Sequence, residues 1–266
     1  MIRTETRGVF LFATLDAPAT RNALTDAMVT ALHDAVAAAA AQPQTRALVL
    51  RGSPKAFCAG GDFSRFKELM AEPASVPDPI IGFNRAFGTL LQALRDAPMA
   101  TIAVVEGAAF GGGAGLAAAC DFVLASSSAE LATPEVTLGL PPAQIAPFIA
   151  SRLGESAALR LLLTGRRLKA SEALALGLVD EVCEPESVEA RLGQLLAQMQ
   201  RAEPAALRAT KAILHKQRHA PLGETLDFAA GRFAAALRSG TPTEGLAAFA
   251  QRRAPSWAAD EPGLQP

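Results

Sequence analysis

Ile102–Asp121 reads IAVVEGAAFGGGAGLAAACD, and the way this stretch folds decides how the rest is read. Ile102-Ala103-Val104-Val105 is an uninterrupted apolar run. Gly107 breaks it, and Gly111, Gly112, Gly113 and Gly115 lead into an alanine-rich segment. That order predicts a buried strand, a tight glycine loop and the first turns of a helix. Glycine lets the backbone take φ > 0 and lets another molecule approach closely. The first N–H groups of a helix have no partner within it, and the helix dipole adds positive charge at the same end. Such a loop suits an oxygen that carries, or acquires, negative charge.

Other readings of the same glycines compete. Small residues in a loop can simply let a helix pack close to a strand. A phosphate loop requires G-x-x-x-x-G-K-[ST], and no Lys-Ser or Lys-Thr follows. The dinucleotide fingerprint is the stronger rival. Gly113, Gly115 and Ala118 fit G-x-G-x-x-A, with Glu135 about twenty residues on, at the spacing of a ribose-binding acid. That acid should end a second strand, yet Glu135 follows Thr133-Pro134, and proline cannot donate in a strand ladder. A nucleotide-dependent oxidoreductase is therefore a minority reading.

The chain has 266 residues, 50% of them hydrophobic, enough for one large domain or a domain with an appendage. A net charge of −1 gives no sign of a nucleic-acid surface. Cys58, Cys120 and Cys183 are scattered, which argues against a disulfide framework or structural zinc and points to a reducing cytoplasm. The N-terminal MIRTETRGVF lacks a long apolar core, so no signal peptide is expected. No apolar stretch is long and charge-free enough to span a membrane.

Upstream, Val9–Leu15 reads as a strand, Asp26 as the cap of a helix to about Ala41, and Ala47–Leu50 as a second strand. Gly52–Asp62 follows as a loop, then a short helix over 63–70, repeating the pattern of strand, glycine loop and helix. Two such units can aim two sets of free N–H groups at one point. Glu72–Pro79 is proline-rich and expected to be a mobile loop, and Phe83–Arg95 a helix. Downstream, Phe122–Ala125 reads as a strand, and Pro134–Gly139 as an irregular piece. Helices are expected over 144–152, 155–164 and 172–176, the last capped by Ser171 and stopped by Gly177, then a strand over 178–183. Helical periodicity dominates from about Val188 to Arg252, and the tail APSWAADEPGLQP is expected to be extended or disordered. The division expected is a core over 1–195 and a helical region over 196–266. Apolar Leu226, Phe233 and Leu237 at helical spacing call for a partner surface.

Hydrolase chemistry finds no support: there is no G-x-S-x-G, and His33, His215 and His219 fall in expected helices away from the glycine loops. No His/Asp/Glu cluster has metal spacing. What remains is two glycine loops and one acid, Glu135.

In order along the chain stand Arg21-Asn22-Ala23-Leu24, Ala56-Phe57-Cys58-Ala59-Gly60-Gly61-Asp62, Gly107-x-Ala109-x-Gly111-Gly112-Gly113, Ala119-Cys120-Asp121 and Pro134-Glu135-Val136-Thr137-Leu138-Gly139. Together with Leu163-Thr164-Gly165-Arg166 and Ala173-x-x-x-Gly177-Leu178-Val179, this ordered set resembles the enoyl-CoA hydratase/isomerase (crotonase) superfamily from about Val9 to Val182. The resemblance implies an α/β spiral of strand–strand–helix units, a helical C-terminal region, trimers or dimers of trimers, and an acyl-CoA substrate, with coenzyme A part of that substrate and no cofactor beside it. It implies a thioester oxygen held by the N–H groups of Ala59 and Gly112, with Glu135 as the catalytic acid–base. Ala23, Leu24, Ala59, Gly61 and Asp62 are implied to line the CoA channel, and Lys211 to stand near the CoA phosphates. Proton chemistry beside a thioester passes through an enolate, and each fixed donor in such a hole is worth about 3–4 kcal/mol.

One departure matters. Family hydratases with two glutamates carry the second two residues after the glycine triplet, where this chain has Gly115. One carboxylate suffices to move a double bond and can also direct water, so hydratase and isomerase both stay open, as does a non-catalytic acyl-CoA-binding subunit. Phe110–Gly115 and Pro141–Pro147 resemble the branch that hydrates 3-methylglutaconyl-CoA and isohexenylglutaconyl-CoA, which also has glycine there. The second carboxylate of such substrates calls for a cation, for which Arg65 and Lys67 are the candidates.

Overall fold

In the middle of the chain a long strand is followed three times by a short one. The computed structural model describes residues 1–52, 56–73 and 75–258. In chain order run β1 (Ile2–Arg7), β2 (Phe10–Leu15), α1 (Asp26–Ala41), β3 (Ala47–Gly52), β4 (Ala56–Cys58), α2 (Phe63–Ala71), α3 (Pro79–Asp96), β5 (Ala100–Val105), β6 (Ala108–Phe110) and α4 (Gly112–Ala119). Then come β7 (Phe122–Ser126), β8 (Glu130–Ala132), α5 (Ala146–Leu153), α6 (Glu155–Leu162), β9 (Arg167–Lys169), α7 (Ala170–Leu176), β10 (Glu181–Cys183), α8 (Val188–Gln200), α9 (Pro204–Gln217), α10 (Leu222–Arg238) and α11 (Thr241–Ala250).

The larger sheet has the order β1-β2-β3-β5-β7-β10 and the smaller β4-β6-β8-β9. Each of the pairs β3/β4, β5/β6 and β7/β8 gives its first strand to the larger sheet and its second to the smaller, before a helix carries the chain on. This is the expected spiral of strand–strand–helix units. Among the described residues, only β1/β2 and β8/β9 are antiparallel. All six residues of β5 are buried, as suits a parallel strand covered on both faces. Ala103 and Val105 join the core beneath α1 and α3. Ile102 and Val104 point the other way, onto Val188, Leu192, Leu196 and Met199 of α8. The expected division at 195 therefore falls inside a helix that packs on the larger sheet.

The short strands β4, β6, β8 and β9 escaped the sequence reading, because three or so residues carry no detectable period. The supposed loop over 52–62 contains β4; its residues 53–55 lie outside the described residues. Thr25, not Asp26, caps α1, its side chain accepting from Met28 N at 3.2 Å. The helix expected from Phe83 begins at Pro79, capped by Asp78. Residue Lys169, not Ser171, precedes α7, and β10 begins only at Glu181. Part of the tail is docked: Arg46 donates to Trp257 O at 2.6 Å, and the Trp257 indole donates to Arg201 O. The remainder, 259–266, lies outside the described residues. Leu222, Leu226, Phe233 and Leu237 of α10 and Leu246 and Phe249 of α11 are exposed.

Lys211 of α9 is buried and ties the helical region to the core. Its Nζ donates to Met99 O at 2.9 Å and to Asp121 Oδ2 at 2.6 Å, while Asp121 also accepts from Thr101 N and Oγ1. Burial holds the Lys211 pKa below its ordinary value, and Asp121 offsets part of that. Removing one partner of such a pair strands the other charge. Asp121→Ala should therefore cost about 3–5 kcal/mol of stability. Urea unfolding monitored by circular dichroism measures it, and a loss under about 1 kcal/mol means the pair is no anchor.

Candidate active site

Parallel pairing of β4, β6 and β8 brings three strand ends to one edge of the smaller sheet. After β4 comes Ala59–Asp62, after β6 the Gly111–Gly112 start of α4, and after β8 Thr133, Pro134 and Glu135. Ligands of open α/β sheets gather at the carboxyl ends of strands, and here the glycine loops and the acid converge as the sequence order implied. Gly111 N donates to Ala132 O at 2.8 Å, closing the second strand end onto the third.

Gly111 takes φ +52°, and a Cβ on it would lie 2.6 Å from Glu135 Oε1. The carboxylate thus sits directly over the glycine backbone, a position that no other residue type allows. Glu135 occupies a short 3₁₀ turn, Pro134–Leu138, which Gly139 ends in the left-handed conformation. Its Oε2 is buried and meets no hydrogen-bond partner among the described residues. Burial pushes the Glu135 pKa up, against a smaller opposing effect of its own backbone N–H. An acid raised in this way is suited to exchanging protons near neutral pH.

The oxyanion donors require a correction. Ala59 N already donates to Arg21 O at 3.0 Å, so the expected Ala59 donor is spent. Two residues on, Gly61 N has no acceptor among the described residues, since the bridge to Leu24 uses Gly60 O and Asp62 N. Gly112 N, at the first turn of α4, is likewise without an acceptor. The loops touch: a Cβ on Gly60 would lie 3.1 Å from Phe110 O and 3.9 Å from Gly112 N. The donor pair that the geometry offers is Gly61 and Gly112.

Asn22 holds the first loop in place. It is fully buried at φ +58°, donates Nδ2 to Ala56 O at 2.8 Å and to Phe57 O, and accepts from Ala17 N. Arg21, also left-handed at φ +52°, supplies the carbonyl that Ala59 meets. The sequence signal was an asparagine in a turn, a residue that tolerates this conformation. Ala23 closes the same turn by donating to Thr20 O, and Leu24 donates to Gly60 O.

Apolar side chains wall the glycine face of α4. Over Gly112 lie Leu24 Cδ1, 2.7 Å from a Cβ placed there, and the Phe87 ring at 3.3 Å; over Gly115 lie Ile145 and Leu91. Gln144 donates to Asn84 Oδ1 at 2.8 Å, and its Oε1 occupies the place of a Gly88 side chain, beside Arg85.

Several expected site residues have other partners. Asp62 caps α2, accepting from Ser64 N and Oγ, which lowers its pKa. Lys211 belongs to the opposite end of α4, about 12 Å along the helix from the loops, where Asp121 holds it. The large cleft of about 970 Å³ beside it, lined by Phe148, Met199 and Leu214, is likewise not the site of the glycine loops. Arg65 is ringed by Asp26, Glu68 and Glu72 at 3.2–3.4 Å, and Lys67 is exposed. Among the described residues, no group of His, Cys, Asp and Glu could hold a metal ion, and no helix is long and apolar enough to cross a membrane.

A model of the enoyl-CoA hydratase/isomerase family matches residues 5–260. The chain is similar to the crystal structure of an enoyl-CoA hydratase/isomerase from Marinobacter aquaeolei, at 40% identity and a TM-score of 0.93, covering 97% of this chain and 98% of that one. It is similar to Pseudomonas aeruginosa AtuE, at 42% identity and a TM-score of 0.93, covering 97% and 99%. It is also 36% identical to the enoyl-CoA isomerase/hydratase fer4 of Mycosarcoma maydis over 220 residues, 80% of this chain and 77% of that one.

The raised Glu135 pKa has a consequence for stability. Below the unfolded carboxyl pKa, about 4.3, both states are protonated and the burial is free. As pH climbs through the higher folded pKa, the native carboxylate must ionise where it is poorly solvated, and stability falls. Glu135→Gln should therefore melt above the wild type at pH 7 and level with it near pH 3, in calorimetry at both. A lower melting temperature than the wild type at pH 7 contradicts the burial argument.

Proposed function

The chain belongs to the enoyl-CoA hydratase/isomerase family, and from that premise we propose that it adds water across the double bond of an enoyl-CoA thioester. The observation that carries the reading is Glu135, half-buried with its Oε2 enclosed and its Oε1 over Gly111, at the strand edge where Gly61 N and Gly112 N lack acceptors among the described residues. The thioester oxygen accepts from those two N–H groups. Glu135 takes a proton from water as the water oxygen bonds to C3, and the double-bond electrons move onto the thioester oxygen as an enolate. Protonated Glu135 then returns the proton to C2, the carbonyl reforms, and one water has been added. Fixed donors aimed at the enolate lower the barrier because they need no reorganisation.

The acyl group we propose is of the glutaconyl type, 3-methylglutaconyl or isohexenylglutaconyl. Its support is the resemblance over Phe110–Gly115 and Pro141–Pro147 and the polar corner of Asn84, Arg85 and Gln144 beside the apolar wall. With Arg65 already surrounded by carboxylates, that corner is the better partner for a second carboxylate. A second reading, double-bond isomerisation by Glu135 alone, is favoured by the side chain that fills the space over Gly115. The exposed apolar residues of α10 and α11 support assembly as a trimer or a dimer of trimers.

A panel of enoyl-CoA thioesters with products read by mass tests the reaction. A gain of one water means hydratase, and unchanged mass with a displaced double bond means isomerase. Glu135→Gln should lower kcat by about two to four orders of magnitude, and kcat/KM of the wild type should rise with pH through the raised Glu135 pKa as the base form appears. Near-normal turnover of Glu135→Gln ends the one-carboxylate mechanism. Gly112→Pro removes one N–H at the first helix position, and in protein shown by circular dichroism to be folded, since Leu24 and Phe87 crowd a side chain there, it should lower kcat about 10²–10³-fold. Light scattering that shows a stable monomer at micromolar concentration rejects the assembly.

A further inference from the structure

We infer that Ile145 is a positioning residue that restricts this site to one working carboxylate. The inference rests on the reading of Glu135 as its acid–base group. A Cβ on Gly115 would lie 2.3 Å from Ile145 Cγ2 and 3.0 Å from Ile145 Cβ. Rotation about χ1 cannot clear the second contact, because Cβ does not move with it, and a β-branched side chain is stiff there in any case. Ile145 is buried, and its carbonyl receives the N–H groups of Phe148 and Ile149 at the start of α5, so its backbone is also fixed.

Gly111, the residue before α4, and Gly115, inside it, are four residues apart, about 6 Å along the axis, and are joined by the hydrogen bond from Gly115 N to Gly111 O at 3.0 Å. Glu135 lies over the first and Ile145 over the second. An enoyl group whose thioester oxygen is held at Gly112 N therefore lies between a carboxylate and a methyl wall. Water and protons reach it on the Glu135 side, while the opposite side is dry. Position 115 is glycine because Ile145 occupies its side-chain volume, and the two positions are interlocked: no carboxylate enters at 115 unless 145 becomes small.

A double-mutant cycle tests the interlock without relying on catalysis. Gly115→Ala should lower the melting temperature by roughly 2–10 °C, the effect of overpacking in a chain of this size. In the Ile145→Ala background the same substitution should cost nothing further or restore part of the loss. An equal cost in both backgrounds overturns the interlock. A second measurement addresses the chemistry. Gly115→Glu with Ile145→Ala should add a second acidic ionisation to the pH profile of kcat/KM. In that background Glu135→Gln should retain at least tenfold more activity than in the wild type, whereas Gly115→Glu with Ile145 intact should do neither. A second ionisation with Ile145 intact overturns the inference. If the glutamate variants do not fold, the alanine cycle alone decides. Failure of the Glu135 reading would show separately, as full activity of Glu135→Gln in the otherwise unaltered chain.

Discussion

Side-by-side parallel pairing of β4, β6 and β8 is the constraint from which the site follows. Parallel strands leave a sheet in the same direction, so whatever follows each of them arrives at a common edge. Here that is a loop with a free N–H, a helix start with a free N–H and a turn bearing an acid. Each strand has only three residues, too few to hold such an arrangement alone. The larger sheet supplies the rigidity: β3, β5 and β7 pair in the same order, and each is joined to its short partner by a few residues. The long strands bury the apolar area, and the short ones spend the resulting precision on backbone placement.

Side chains matter mainly as braces on that backbone. Asn22 gives its amide to the β4 carbonyls and takes the Ala17 N–H. Arg21 O absorbs the Ala59 N–H and leaves that of Gly61 over. Which N–H is spent and which has no acceptor among the described residues is thus settled by the turn between β2 and α1. At the other end of α4, the Lys211–Asp121 pair holds α9 against the core. The hydratase reading depends on the first of these braces and is indifferent to the second.

Much of this was legible in the sequence, and the failures share a cause. The long strands, the helices and the order of the glycine motifs could be read because apolar periodicity and glycine punctuation are local signals. Glu135 is expected beside the glycine loops from the order of the motifs and the resemblance they carry, and parallel pairing of the short strands is what brings it over Gly111. Ala59 could not be separated from Gly61, since the difference lies in one hydrogen bond to Arg21 O across the fold. For Lys211 the resemblance implies a place near the CoA phosphates; burial against Asp121 is a tertiary fact. Arg65 and Lys67 were drawn in by proximity in sequence to the first loop, whereas Asn84, Arg85 and Gln144 reach the apolar wall from α3 and the turn before α5. Ile145 lies in the Pro141–Pro147 stretch that carries the finer resemblance, but an isoleucine in an apolar turn is ordinary until a glycine is found beneath it.

The contact between Glu135 and the Gly111 backbone bears on how this chain tolerates change. One oxygen of the acid lies over main chain, which every sequence possesses in the same form. Substitutions on the surrounding surface therefore leave the immediate setting of the carboxylate as it was, and sequence drift can reshape the acyl wall without retuning the proton donor. The vulnerability is concentrated in one place: at Gly111 any side chain at all displaces the carboxylate.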